Sequence, residues 1–239
     1  MKYNISTFTH IGTKREINQD RVLVNDIILD NGFHHIIEQP ACFCFVADGI
    51  GGSVHGEIAS RFVLDKILEQ KAAFMQIDEQ FLESELNNIN EELIAYAHQN
   101  PEFFGTGTTL NGLIINENNR FVTINAGDSE MWVLRNDMFF QLTELQVFDD
   151  AEPGSPLISY FGGKSASLEL DLTAPLREIH KDDIFLIASD GLLNALVPKD
   201  VKAILLSRQS LQQKSELLLK NALSKGADDN VSCIVVELI

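Results

Sequence analysis

The feature that most constrains this chain is what happens where its apolar segments end. Three of them pass through small residues into an aspartate: Phe45-Val46-Ala47 into Asp48-Gly49, Asn125-Ala126-Gly127 into Asp128-Ser129, and Leu186-Ile187-Ala188-Ser189 into Asp190-Gly191. Asp20 stands just before a strand-like run at Arg21, and Asp228-Asp229 just before a last one at Val231. Apolar strands need burial, whereas unpaired carboxylates resist it. Both demands are met when the strands fill a sheet interior and the acids gather at one edge. A single Asp-Gly is only a turn signal, since both residues are default turn formers. Several together mean more, because converging carboxylates repel one another unless a cation binds them. All-oxygen ligands suit hard ions such as Mg²⁺ or Mn²⁺ rather than zinc. Two such ions sharing a carboxylate sit about 3.5–4 Å apart and can activate a water between them. Glycine after Asp48 lets the backbone carbonyl approach such an ion's water.

The rest of the chain supplies layers for those strands. Residues 2–9 read as a strand, Gly12 to Asp20 as a polar loop, and 21–29 as a second strand. Asp30-Asn31-Gly32 is a turn signal, with Phe33 to Ile37 as the second arm of a hairpin. The run 42–47 is long enough for a buried strand and too short for a helix. Apolar spacings of three to four predict helices over 55–71 and 78–99, the second ended by Pro101. Strands at 108–115, 120–126, 130–135 and 138–142 come next, joined by tight turns and so antiparallel neighbours. Residues 143–167 lack clean periodicity and read as a long, flap-like loop. Strands at 168–172 and 183–188, helices near 191–196, 199–206 and 210–223, and a strand at 231–238 complete the pattern. The expected fold is α+β: a four-layer α/β/β/α sandwich, two mainly antiparallel sheets flanked by helix pairs, in one domain spanning 1–239.

Charge and cysteine usage narrow the function. Eighteen Lys and Arg against 35 Asp and Glu give a formal charge of −17. A field of that sign repels nucleic acid and anionic membrane, so neither is expected as a partner. There is no apolar run of roughly 18 residues for a membrane helix and no long apolar leader. The three cysteines, Cys42, Cys44 and Cys233, lie in apolar runs, which fits a reducing cytoplasm. None has an arginine six positions later, as cysteine-dependent phosphatases require, and no Asp-x-Asp occurs. Gly163-Lys164-Ser165 lacks the earlier glycine of a nucleotide-binding loop, because position 158 is Ile.

Six motifs carry a family resemblance: Arg15-Glu16-Ile17-Asn18-Gln19-Asp20, Val46-Ala47-Asp48-Gly49-Ile50-Gly51-Gly52, Gly107-Thr108-Thr109-Leu110, Ala126-Gly127-Asp128-Ser129, Ala188-Ser189-Asp190-Gly191 and Asp228-Asp229-Asn230-Val231. In this order and spacing the chain resembles the type 2C (PPM) metal-dependent serine/threonine protein phosphatases, bacterial branch, from about residue 7 onward. The resemblance implies that Asp48 bridges two core Mg²⁺ or Mn²⁺ ions, with the Gly49 carbonyl on one of them. Asp190 and Asp229 would complete the second ion's shell, and Asp128 would hold a third, weaker ion. Asp20 would hold metal-bound water, and Arg15 would grip the substrate phosphate. Thr108 and Thr109 are assigned to the sheet rather than to chemistry.

The reaction implied by the resemblance is direct in-line hydrolysis of phosphoserine or phosphothreonine by a metal-bridged water. The implied partners are phosphorylated proteins and an opposing Ser/Thr kinase, and the implied state is a cytoplasmic monomer. Ile50 stands where many eukaryotic members have a histidine that protonates the leaving group, and Gln19 stands where other members have Glu. His55 is near in sequence, but a position on the helix surface is expected for it. Two other readings share the fold: a pseudophosphatase that binds phosphorylated partners without cleaving them, and a phosphatase of a small phosphorylated metabolite.

Overall fold

The computed structural model describes residues 1–50, 55–148, 155–163, 168–172, 176 and 178–239. Along the chain come β1 (Tyr3–His10), β2 (Arg21–Val24), β3 (Ile27–Leu29), β4 (Gly32–Gln39) and β5 (Cys42–Ala47). Helices α1 (Gly56–Glu69), α2 (Lys71–Phe74) and α3 (Glu79–Gln99) come after them. Next are β6 (Gly107–Thr108), β7 (Leu110–Ile115), β8 (Phe121–Ala126), β9 (Glu130–Arg135), β10 (Met138–Gln141) and β11 (Phe161–Gly162). The remainder is β12 (Ile184–Ala188), α4 (Asp190–Ala195), α5 (Pro198–Leu205), α6 (Leu211–Ser224) and β13 (Val231–Leu238).

Two antiparallel sheets hold most of the strands, in the orders β10-β9-β12-β13-β1-β4 and β3-β2-β5-β7-β8, and β6 pairs with β11 beside them. Every residue of β5, β7 and β12 is buried. That explains why β5 and β12 read as continuous apolar runs: both of their faces are covered. Along β5 the alternation is clear. Cys42, Cys44 and Val46 face Ile5, Phe185, Ile187 and Ile234 in the seam between the sheets. Phe43, Phe45 and Ala47 face outward onto Ala59, Val63 and Ile67 of α1 and Leu86 and Leu93 of α3. On the far side, Phe8, Leu186 and Val235 pack under Leu192 of α4, Val201 of α5 and Leu218 of α6. The layers are therefore α/β/β/α, as the sequence predicts.

Local chemistry sets the helix ends. Asp78 caps α3 by accepting from the Phe81 amide at 3.0 Å, and the helix stops before Pro101. Ser210 and Gln213 form a reciprocal capping box on α6. Among the described residues no helix is long and apolar enough to cross a membrane.

Several expectations change. The strand over 108–115 is interrupted at Thr109, with β6 paired to β11, and β8 and β9 are not neighbours: β8 edges the five-stranded sheet and β9 lies in the six-stranded one. The strand over 21–29 is broken by Asn25, whose φ of 53° turns the chain into the short β3. The arm 33–37 exists within β4, but it makes no hairpin with 21–29: β4 pairs with β1 in the other sheet. The stretch 168–172 makes a single bridge, Asn125 with Asp171, and its Leu168, Leu170 and Leu172 pack on the core without a ladder. The helix expected to reach 71 ends at Glu69, with α2 as a separate turn. Within 143–167, Val147 bridges Leu157 and β11 joins β6, while 149–154 and 164–167 lie outside the described residues.

Phe45 tests the outer core layer. Its ring is fully buried, stands 4.9 Å from that of Phe43 and fills the space above Gly112, where a Cβ would strike it. Phe45→Ala should lower unfolding free energy by about 3–5 kcal/mol in urea titration. A loss below about 1 kcal/mol would contradict the packing described.

Candidate active site

Sheet register alone brings the acids together. Ala47 at the end of β5 lies opposite Arg21 at the start of β2, so Asp48 and Asp20 leave the five-stranded sheet side by side. Leu110 lies opposite Ala126, which places the Gly127-Asp128 turn at the same edge. In the six-stranded sheet Ala188 lies opposite both Cys233 and Glu130, so Asp190 and Asp229 emerge next to the start of β9. His10 lies opposite Val231, and the loop from β1 to β2, carrying Arg15, leaves at this same end.

Hydrogen bonds then join the two sheets. Ser189 Oγ donates to Asp20 Oδ2 at 2.9 Å and accepts from the Ser232 amide at 3.0 Å. Arg15 donates through Nη2 to Asp229 Oδ2 at 2.6 Å. The Asp48 backbone is fixed on both sides: its carbonyl accepts from the Thr109 amide and from Thr108 Oγ1, each at 2.9 Å, and its amide donates to Thr109 Oγ1 at 3.2 Å. Gly49 sits between the Gln19 carbonyl and the Gly56 backbone, with a Cβ there approaching both to 2.6 Å. No other residue type fits that position.

Asp20 is fully buried, while Asp48, Asp128, Asp190 and Asp229 each keep some surface open to solvent. Burial pushes the Asp20 carboxyl up to about 7, with Asp190 and Asp229 adding repulsion and the serine hydroxyls opposing it. Asp190 rises to about 7, first from burial and then from Asp128 and Asp229. Burial, with repulsion from Glu130 among others, takes Asp128 to about 6. Asp48 stands well above the carboxylate range, because burial is joined by repulsion from Asp20, Asp190 and Asp128.

The donor set fits hard cations. All the groups are carboxylate or carbonyl oxygens, and Asp20 Oδ1 is a buried oxygen with no protein partner. Among the described residues no three His, Cys, Asp or Glu side chains form a ready cage around one ion.

The residues singled out from the sequence, Arg15, Asp20, Asp48, Gly49, Asp128, Asp190 and Asp229, all reach this edge. Thr108 and Thr109 do more than extend the sheet, since they hold the Asp48 backbone. Ser189 and Asn230 lie inside the motifs, yet their side-chain roles become visible only through contacts across the fold. Gln19 donates to Glu57 at 3.2 Å. His55 begins α1 in a left-handed conformation, pairs with Glu57 at 2.9 Å and packs edge-on against Phe103. A Cβ on Gly107 would touch both Ile50 and Tyr160, so these two side chains flank it.

Carboxyls with raised folded-state pKa values make stability fall as pH rises, because the folded state then binds more protons than the unfolded one. The affected window runs from the ordinary 3.8 up to about 7. Chelator-treated protein should therefore melt at a lower temperature at pH 7.5 than at pH 5. Added Mn²⁺ should raise the melting temperature more at pH 7.5 than at pH 5. Calorimetric melting at both values checks this, and a metal-free protein more stable at pH 7.5 would contradict it.

The Protein phosphatase 2C family profile matches residues 16–225. The serine/threonine phosphatase stp of Listeria innocua is 29% identical, with 93% of this chain and 94% of that protein covered. Protein phosphatase PhpP of Streptococcus pneumoniae is 25% identical over 98% of this chain and 97% of its own length. Among solved structures, the serine/threonine phosphatase Stp1 from Staphylococcus aureus aligns with a TM-score of 0.82 at 25% identity, covering 98% of this chain and 94% of that one. The S. agalactiae serine/threonine phosphatase aligns at 0.81 and 21% identity over 99% of this chain and 100% of that one, a likeness of fold. With the profile running through most of its length, the chain belongs to the protein phosphatase 2C family of hydrolases.

Proposed function

We propose that the protein is a metal-dependent phosphatase of phosphoserine and phosphothreonine in proteins, acting by direct in-line hydrolysis as one domain over 1–239. The observation that carries this reading is the gathering of five carboxylates, from loops of both sheets, around an edge where Asp20 Oδ1 has no protein partner. The names of the relatives support phosphorylated proteins as the substrate class. An opposing Ser/Thr kinase, a cytoplasmic location and a monomeric state belong to the same proposal.

Asp48 and the Gly49 carbonyl, with Asp190 and Asp229, would hold two Mg²⁺ or Mn²⁺ ions, and Asp128 a third, weaker one. When bound, such ions lower the pKa of water and offset the charge of a phosphoryl group. Asp20 would orient water through its unpartnered Oδ1, while Ser189 holds its other oxygen. Arg15, at the mouth and 40% exposed, offers the phosphate oxygens a planar fork. No protein nucleophile is needed. All three cysteines are buried, and burial pushes the Cys44 and Cys233 thiols up, away from the reactive thiolate. Ile50 has no proton to give, and the His55 ring is engaged by Glu57 and Phe103, so the leaving oxygen takes its proton from water at this edge.

Hydrolysis of p-nitrophenyl phosphate and of a phosphothreonine peptide should require Mn²⁺ or Mg²⁺. Asp190→Ala should lower kcat by roughly 10³-fold or more, since it removes several kcal/mol of charge stabilisation. Arg15→Ala should lower kcat/KM by about 10- to 100-fold, the value of a charge-assisted contact. Metal-independent turnover, or an Asp190→Ala variant at full rate, would sink the proposal. Strong preference for phosphorylated metabolites over phosphopeptides would move it to that substrate class, and metal binding with no turnover would leave a phosphate-binding module.

A further inference from the structure

We infer that Asn230 is the positioning residue that sets the β1–β2 loop, and with it Arg15 and Asp20, over the carboxylate edge. The inference rests on the phosphatase reading of that edge. Residues 11–19 form no helix or strand, so no ladder fixes the segment that carries Arg15. Its shape is set from the start of β13. Asn230 is 5% exposed and spends its whole amide on this loop. Its Oδ1 accepts from the Gln19 amide at 2.8 Å, and its Nδ2 donates to the carbonyls of Ile11 and Ile17, both at 3.0 Å.

A primary amide supplies an acceptor and two donors from one planar group. A carboxylate of the same shape would keep the contact to Gln19 and present one repelling oxygen to both carbonyls. The two ends of the loop are thereby tied to one point. Asp20 comes directly after Gln19, and Arg15 reaches the neighbouring Asp229, whose other oxygen accepts from the Asn230 backbone N–H at 2.8 Å. Two further contacts press the loop onto the same segment. Thr13 donates through both its amide and its hydroxyl to the Ala227 carbonyl at 2.9 Å. Gly12, at φ 79°, lies so close to the Asp229 carbonyl that no side chain fits. Asn230 therefore serves the reaction without touching substrate. It fixes where the guanidinium stands relative to the acids.

The test compares wild type, Asn230→Ala, Asn230→Asp, Arg15→Ala and the double variant Arg15→Ala/Asn230→Ala, all with Mn²⁺ present. Inorganic phosphate is the probe, read by calorimetric binding and as a competitive inhibitor of p-nitrophenyl phosphate hydrolysis. Asn230→Ala should weaken phosphate binding about 10-fold and kcat/KM by at least as much, with Mn²⁺ affinity changed less than about threefold. In the Arg15→Ala background its effect on phosphate binding should largely vanish, because both changes remove the same contact. Asn230→Asp should behave like Asn230→Ala while keeping side-chain volume, so a loss shared by the two is not a cavity effect. Phosphate binding unchanged in both variants, or effects fully additive with Arg15→Ala, would overturn the inference. A purely structural role predicts lower melting temperature with normal phosphate affinity in the folded fraction, which would also overturn it. A wild-type protein that binds phosphate without turning over substrate would count against the phosphatase reading, and its binding data would still decide the role of Asn230.

Discussion

Carboxylates forced together repel, and most of the architecture can be understood as what makes that crowding tolerable. Asp20, Asp48, Asp128 and Asp190 all hold protons more tightly than free carboxyls, each chiefly because of burial and then because of its neighbours. A flexible chain would relieve such strain by moving the acids apart. Here each acid sits next to a buried strand or, for Asp128, at the turn between two of them, and the ladder on one side of it cannot shift without disturbing a core layer. The hydrophobic seam between the sheets thus provides the binding energy that holds the charged edge in place. A cation reverses the sign of the problem, turning the crowding into a ligand set.

Arg15 is the one cation paired directly with this group of aspartates among the described residues, and it is shared. The family resemblance leads one to expect Arg15 as a phosphate ligand and Asp229 as a metal ligand, two separate roles. In the structure they are partners at 2.6 Å. A planar guanidinium can serve two acceptors at once, so on the proposed reading an incoming phosphate would add to this contact or compete with it. The arginine already points at the acids, and where phosphate adds to the contact this would reduce the ordering cost of binding.

The sequence makes the strand interiors legible, because two covered faces demand continuous apolar runs, as in Phe43 to Ala47 and Leu186 to Ala188. It also makes the acids legible, because each lies directly beside such a run. Partner choice is another matter. The turn at Asp30-Asn31-Gly32 announces a change of direction and carries no information about which sheet receives β4. Leu168, Leu170 and Leu172 alternate as a strand would, yet alternation reports burial and not a hydrogen-bonded neighbour. Ser189 and Asn230 escape for a similar reason. Their value lies in bonds to Asp20, Ile11, Ile17 and Gln19, far away in sequence, and a lone serine or asparagine beside a strand is otherwise ordinary.

The position of β13 has a consequence for how the molecule comes into being. It lies in the middle of the six-stranded sheet, between β1 from the beginning of the chain and β12. Without it, β4-β1 and β12-β9-β10 are two fragments with open edges, and the anchor for the Arg15 loop is missing. Such distant pairing holds folding back until β13 has been made. A nascent chain therefore carries most of its aspartates before the register that gathers them is complete. Proteolytic trimming of that strand would act the same way in reverse, abolishing activity rather than grading it.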